Sequence, residues 1–212
     1  MRRLPMFPLG TVLFPDTLLP LHVFEPRYRA LVADCLAGDG EFGVVLIERG
    51  SEVGGEDVRF EIGTVATIVD AQQIPDGRWF MLAEGRVRLR VLRWLPDDPY
   101  PVAEVEEIGD PEWFDTEGMR DRAVRALRRM AALRTELGED VRSITITVNV
   151  DEDPVRASYE AVALAPIGPL DSQRLLAAGS PAERYEGLFR LLEEETAVLE
   201  QRIAEGWHEP PG

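Results

Sequence analysis

The hydrophobic period of this chain changes near Asp110, and that change restricts it to an architecture in which strands come first and helices second. Up to about Ile108 the apolar runs are short and are broken at close intervals by proline or glycine. Val44-Val45-Leu46-Ile47, between Gly43 and Gly50, has the form of a buried strand. Phe60–Ile74 and Arg78–Trp94 flank Pro75-Asp76-Gly77, a turn of hairpin type, and GSEVGGED (Gly50–Asp57) reads as an acidic loop. In the second hairpin arm Arg86-Val87-Arg88-Leu89-Arg90-Val91 alternates strictly, which predicts Val87, Leu89 and Val91 on one face and three arginines on the other. Leu92-Arg93-Trp94 then breaks the phase, as a bulge closing a small barrel would. Antiparallel pairing with Val102–Glu106 would set Glu104 and Glu106 beside Arg88 and Arg90.

After Asp110 the period is helical. Met119, Ala123, Ala126, Met130 and Leu133 form one stripe of a helix predicted from about Asp115 to Leu137, with Gly138 as its C-terminal stop. Asp153-Pro154 opens another that Pro166 ends, and a short one spans about Leu170 to Ala178. Ser180-Pro181-Ala182-Glu183 combines a capping serine, a proline suited to the first turn and a capping-box glutamate, and predicts a helix to Ala204. Ser143–Val150 (SITITVNV) alternates Ile144, Ile146, Val148 and Val150 with polar residues and reads as a strand inside the helical half. The expected organisation is α+β, with a β-barrel subdomain over 1–110 and a helical subdomain over 111–212.

Charge and composition exclude several functions. The net charge is −16, and all 23 basic residues are arginine. A chain without lysine has neither a Walker A lysine nor a Ser-Lys dyad. Both halves are acidic, which disfavours a phosphate backbone and argues against nucleic acid as a partner. Cys35 is the only cysteine, so no intrachain disulfide forms. Pro5, Pro8 and Pro15 interrupt the start of the chain, and no apolar run has the length of a membrane span, so a cytoplasmic location and no membrane partner are expected.

Candidate chemistry is sparse. His22 and His208 share no metal-ligand spacing, the glycines fit turns better than a phosphate loop, and neither metal nor cofactor is expected. Cys35 with His22 is the one conceivable nucleophile pair, but Cys35 lies between Leu31, Val32 and Leu36 on the inward stripe of a helix, where a thiol is usually inert. No serine stands in a G-x-S-x-G turn, and the paired acids fit solvated turns and helix faces. No catalytic residue is assigned. In LPLHVFEPRYR (Leu19–Arg29) a strand runs into a helix: Pro26 suits the first helical position, Glu25 the dipole, Phe24 and Tyr28 could staple the entry to the core, and His22 reads as structural.

The segment FPLGTVLFPDTLLPLHVFEPRYRALVADCL (Phe7–Leu36), followed by FGVVLIERG, IGTVATI and DGRWFMLAEGRVRLRVL, resembles the start of the Lon N-terminal domain family, the substrate-recognition domain of Lon proteases. PLDSQRLLAAGSPAERYEGLFRLLEEE is similar to the family's helical part, whereas SITITVNV departs from its helical pattern. The resemblance implies a PUA-like pseudo-barrel followed by a helical bundle, and polypeptide recognition as the role. It further implies a stand-alone Lon-domain protein, since the ATPase and Ser-Lys protease that follow this domain in Lon find no counterpart here. The expected function is a non-catalytic recognition module, with a substrate adaptor as the narrower reading, whose expected partners are unfolded or hydrophobic polypeptide segments, with a separate protease or ATPase as a further candidate. Trp113, Phe114, Ile144, Ile146 and Val148 are candidate lining residues of an apolar groove where barrel meets helices; the same residues would equally serve as core between the subdomains. The alternative is RNA binding through Arg86, Arg88 and Arg90, because PUA-like barrels occur in RNA-modifying proteins.

Overall fold

The computed structural model describes residues 1–49, 58–139 and 150–206. In chain order the elements are β1 (Arg2–Leu9), β2 (Leu18–Val23), α1 (Pro26–Ala37), β3 (Glu41–Arg49), β4 (Val58–Gln73), β5 (Trp79–Leu95), β6 (Val102–Ile108), α2 (Met119–Glu136), α3 (Pro154–Leu164), α4 (Pro169–Leu176) and α5 (Pro181–Ala204). The acidic loop 50–57 and all of the strand-like segment 143–150 except Val150 lie outside the described residues. Contacts divide the chain into two units, Met1–Gly109 with Pro169–Ala177, and Asp110–Gly168 with Ala178–Gly212. The short helix α4, which sequence alone groups with 111–212, thus returns to the barrel unit.

In the barrel unit the strand order is β2-β5-β4-β3-β1-β6, and β6 also pairs with β5, so five strands close a ring and β2 flanks it. Closure uses one edge of the long β5 twice. Trp79–Glu84 pair with β2, and Arg88–Leu95 pair with β6. Gly85 marks the changeover: its N–H donates to Thr17 O and its carbonyl accepts from Asp16 N, each at 2.9 Å. The Pro75-Asp76-Gly77 hairpin forms as expected, with Gln73 opposite Trp79 and Gly77 at φ +83°. The phase break at Leu92 is a register shift between Val91 and Arg93.

Leu89 and Val91 point into the barrel with Leu4, Met6, Val45, Val65, Ala103 and Val105, and Val87 packs against that cluster. A second cluster, with Phe7, Leu31, Val32, Phe42, Val44 and Met81, seats α1 on the sheet, and Phe7 stacks on Tyr28 at 4.2 Å. Tyr28 is therefore the core anchor of the Leu19–Arg29 corner. Phe24 does not staple it: the side chain is 51% exposed, because the turn into α1 carries it to the opposite face of β2 from the core.

Tyr100 closes this core by donating its phenolic O–H to Asp34 at 2.7 Å. Burial, and then the hydrogen bond to a carboxylate, push its pKa up to about 12. A phenol whose folded pKa lies above its ordinary value of 10.0 contributes stability that is complete below pH 10 and lost as the pH rises toward 12. An ultraviolet difference titration of wild type against Tyr100→Phe is expected to show one tyrosine ionising late, in step with that loss of stability; ionisation at the ordinary pH would refute it.

The helical unit holds α2, α3 and α5. α2 buries Ala123, Leu127, Met130 and Ala131, and the Asp115 carboxylate caps it from upstream by accepting from the N–H groups of Met119 and Arg120, both at 2.8 Å. Gly138 follows the helix at φ +83°, a conformation that favours glycine. Asp153 caps α3 by accepting from Val155 N and Arg156 N, with Pro154 in the first turn. At α5 the Ser180 hydroxyl accepts from Glu183 N, while the Glu183 carboxylate reaches one residue further back than a standard capping box, to Gly179 N at 2.8 Å.

Candidate functional site

The outer face of β2, β5 and β4 carries the most conspicuous exposed apolar surface of the barrel unit. Strand pairing sets Leu18, Pro20 and His22 of β2 opposite Glu84, Leu82 and Phe80 of β5, and sets Asp70 and Gln72 of β4 opposite Leu82 and Phe80. The register shift between Ile68 and Asp70 turns Val69 outward as well, and it is exposed. The His22 ring stacks on Phe80 with centroids 4.5 Å apart and planes 11° apart, and Phe24 lies 6.0 Å from His22. Phe80 is 50% exposed. A shallow groove runs between Pro20, His22, Asp70, Gln72, Phe80 and Leu82. An aromatic ledge with a polar rim is suited to covering another apolar surface.

The backbone of β2 decides how such a surface is met. The bond from Gly85 N to Thr17 O fixes the ladder phase, so that Leu19, Leu21 and Val23 exchange hydrogen bonds with β5 while Leu18, Pro20 and His22 turn their backbone groups away from it. Among the described strands β2 pairs with β5 alone. Pro20 therefore removes the central outward donor at no expense to the ladder, which blunts the edge against strand addition and leaves side chains to make the contact.

The residues singled out from sequence fare differently. Trp113 is half-buried and packs on Tyr185, with ring centroids 5.7 Å apart, inside the helical unit. Phe114 is 70% exposed. Ile144, Ile146 and Val148 lie outside the described residues. Cys35 is buried and donates its thiol to Glu41 O at 3.3 Å, and burial, with Asp39 and Asp34 nearby, pushes its pKa up to about 12, so the thiolate is not accessible at neutral pH. His22 sits on the outer face, not in the core with Cys35.

The arginine row needs correction. Arg86 is exposed and pairs with Glu84 at 2.8 Å, and Arg90 pairs with Glu106 at 3.2 Å as expected. Glu104, however, pairs with Arg93 and Arg3, because the register sets Arg88 opposite Ile108 and the bulge at Leu92 brings Arg93, one residue further on, opposite Glu104. Arg88 is only 3% exposed and donates to the carbonyls of Leu176 at 3.0 Å and Gly109 at 3.5 Å. It faces outward as the alternation requires, but α4 lies over it: the guanidinium caps the Leu176 carbonyl at the C-terminus of that helix, and Gln173 ties the helix to Ile62 O at 2.9 Å.

The comparisons with known proteins agree with this architecture. Residues 3–194 match the family model of the ATP-dependent protease La (LON) substrate-binding domain. The chain belongs to that family. The Lon protease of Dictyoglomus thermophilum is 28% identical over 200 residues, covering 93% of this chain and 25% of that protein. Lon protease 1 of Myxococcus xanthus is 27% identical over 204 residues, covering 92% and 25%. The chain thus spans about a quarter of the length of the curated relatives it matches. Among solved structures, the Lon N-terminal domain protein from Xanthomonas campestris superposes with a TM-score of 0.66 at 28% identity, over 90% of this chain and 98% of that one. The N-terminal domain of the Mycobacterium avium complex Lon protease, at 18% identity, TM-score 0.59, and coverage of 92% and 98%, shares the fold. As a LON substrate-binding domain the chain is a substrate-recognition module. No described helix is long and apolar enough to cross a membrane.

Proposed function

We propose that this LON substrate-binding domain acts without catalysis, as an adaptor that holds exposed hydrophobic segments of client polypeptides on the outer face of β2, β5 and β4. The observation that carries the reading is the stacked pair of His22 and Phe80 beside Phe24, three rings left in solvent on one face of a sheet whose other face forms the core. Rigid aromatic side chains are the usual anchors of polypeptide contacts, since they offer a large area at small conformational expense. Family membership supports the client class. Phe114, and the segment of Ile144, Ile146 and Val148, are retained as a second contact region, and a separate protease or ATPase is the proposed recipient of the client. A cytoplasmic location is part of the same proposal. The RNA reading finds no support in the charges: Arg88 is enclosed, and Arg86 and Arg90 are paired with acids.

The test is fluorescence anisotropy with a labelled hydrophobic peptide and with a reduced, unfolded protein as competitor. Phe80→Asp is expected to weaken binding by about 2 kcal/mol, roughly thirtyfold, with an unchanged far-ultraviolet spectrum, because a charge in an anchor position must be desolvated. Phe114→Asp is expected to weaken it less. Wild-type affinity in Phe80→Asp would move the site off this face.

A further inference from the structure

The helical unit contains a second surface of different chemistry. α2 concentrates Arg120, Arg122, Arg125, Arg128, Arg129 and Arg134 against only Asp121 and Glu136, a basic helix in a chain of net charge −16. Three of these arginines line a groove against α5. Arg122 pairs with Glu193 at 3.0 Å and Arg129 pairs with Glu200. Arg122 and Arg129 lie two turns apart on α2, as do Glu193 and Glu200 on α5. The two ion pairs therefore bracket the groove like rungs. Between them stands Arg125, exposed, with the hydroxyl residue Thr196 at the corresponding step of α5 and with no ion-pair partner among the described residues. The floor is apolar: Phe189 and Leu192 are buried, with the Arg122 guanidinium 4.0 Å from the centre of the Phe189 ring, and Ala126 and the exposed Ala197 line the groove beside them.

We propose that this groove is a docking site for a segment of another polypeptide that carries one Asp or Glu beside a leucine or phenylalanine. Charge complementarity selects the occupant: three arginines against two glutamates leave a single unmatched guanidinium, which suits one carboxylate bound by a planar, two-pronged donor. The apolar floor asks for a side chain next to that carboxylate. A phosphate backbone suits the site poorly, since its continuous charge would run against Glu193 and Glu200 at both ends. The groove shares no residue with the aromatic face of the barrel.

The probe is a fluorescent decapeptide with one Glu between two leucines in a Gly/Ser background, measured beside its Gln twin and a labelled oligothymidine. The Glu peptide is expected to bind about tenfold more tightly than the Gln peptide, with affinity falling as salt is raised. Arg125→Glu is expected to abolish the difference, and Ala197→Trp, which fills the groove without altering charge, to weaken both peptides. Phe80→Asp, whatever it does to the affinity common to both peptides, should leave the Glu-over-Gln difference and its loss in Arg125→Glu unchanged, so that failure of the barrel-face reading is told apart from failure of this one. Equal affinity for the Glu and Gln peptides, indifference to both groove substitutions, or tighter binding of the oligonucleotide would overturn the proposal.

Discussion

Arg184→Ala is expected to destabilise the protein by about 3–5 kcal/mol, a large share of the stability of a domain of this size. Arg184 lies on α5 and is 0% exposed. Its Nη2 donates to Asp110 Oδ1 at 2.7 Å, its Nη1 donates to Ser158 Oγ at 2.6 Å, and its guanidinium sits 3.7 Å from the centre of the Tyr159 ring. The Tyr159 hydroxyl closes the circuit by donating to the same Asp110 carboxylate. One charged group thus joins α5, α3 and the first residue of the helical unit. Truncation leaves a nearly buried carboxylate without its cation and a hydroxyl without its donor, and that unmet desolvation, more than the lost attraction, sets the expected magnitude. Urea unfolding should show a lower midpoint at an unchanged slope. Arg184→Met combined with Asp110→Asn should recover much of the loss, since the pair is then removed together. Arg184→Lys should recover little, because an ammonium cannot serve two acceptors and lie flat on a ring. A loss under about 1 kcal/mol for Arg184→Ala would mean that the network is solvated and contributes nothing.

Gly85→Ala is expected to cost about 3 kcal/mol, the upper end of overpacking penalties, from the addition of one methyl group. A Cβ at Gly85 would stand 2.2 Å from Phe14 O and 3.0 Å from Phe14 C, and both are backbone atoms that no rotamer change can move. The loop 13–17 is held there by the Gly85 ladder bonds and by Thr64 Oγ1, which donates to Leu13 O at 2.6 Å. Relief requires pulling the loop off β5 at the point where that strand exchanges β2 for β6, which would loosen the entry to β2. Gly109→Ala is the control: a Cβ there meets nothing within 4 Å and its backbone is not left-handed, so a change within about 0.5 kcal/mol is expected. Thermal unfolding of the two variants side by side decides the matter, and equal midpoints would refute the close-approach argument.

Much of the fold is legible in local pattern. The change of period near Asp110 coincides with the start of the second unit, Pro75-Asp76-Gly77 turns the hairpin, Leu92 marks a true bulge, and Ser180-Pro181 starts α5 where its capping chemistry places it. The candidate site is less legible. LPLHVF reads as a strand entering a helix, and its spacing does not tell the outer face from the core face, because Leu18 and Pro20 are apolar like Leu19 and Leu21. The signal was present in that absence of alternation, since a strand apolar on both sides is either enclosed by two layers or shows one face to a partner. The stacking of His22 on Phe80 could not be read at all, for it depends on which strand lies next to β2.

The amino-acid sequence by itself determined the order of strands and helices, the turns, the helix caps and the inward face of β5, because each of these follows from side-chain spacing or from a residue acting on its own backbone within a few positions. Tertiary structure alone decided that Arg88 is enclosed while Arg86 and Arg90 are not, that α4 joins the barrel unit, that Phe24 stays in solvent, and that Arg184 finds Asp110 74 positions away. The reason is physical. Burial of a polar side chain is set by what arrives to cover it, and the helix that covers Arg88 brings its contact from 88 positions away, beyond the reach of any local pattern in β5.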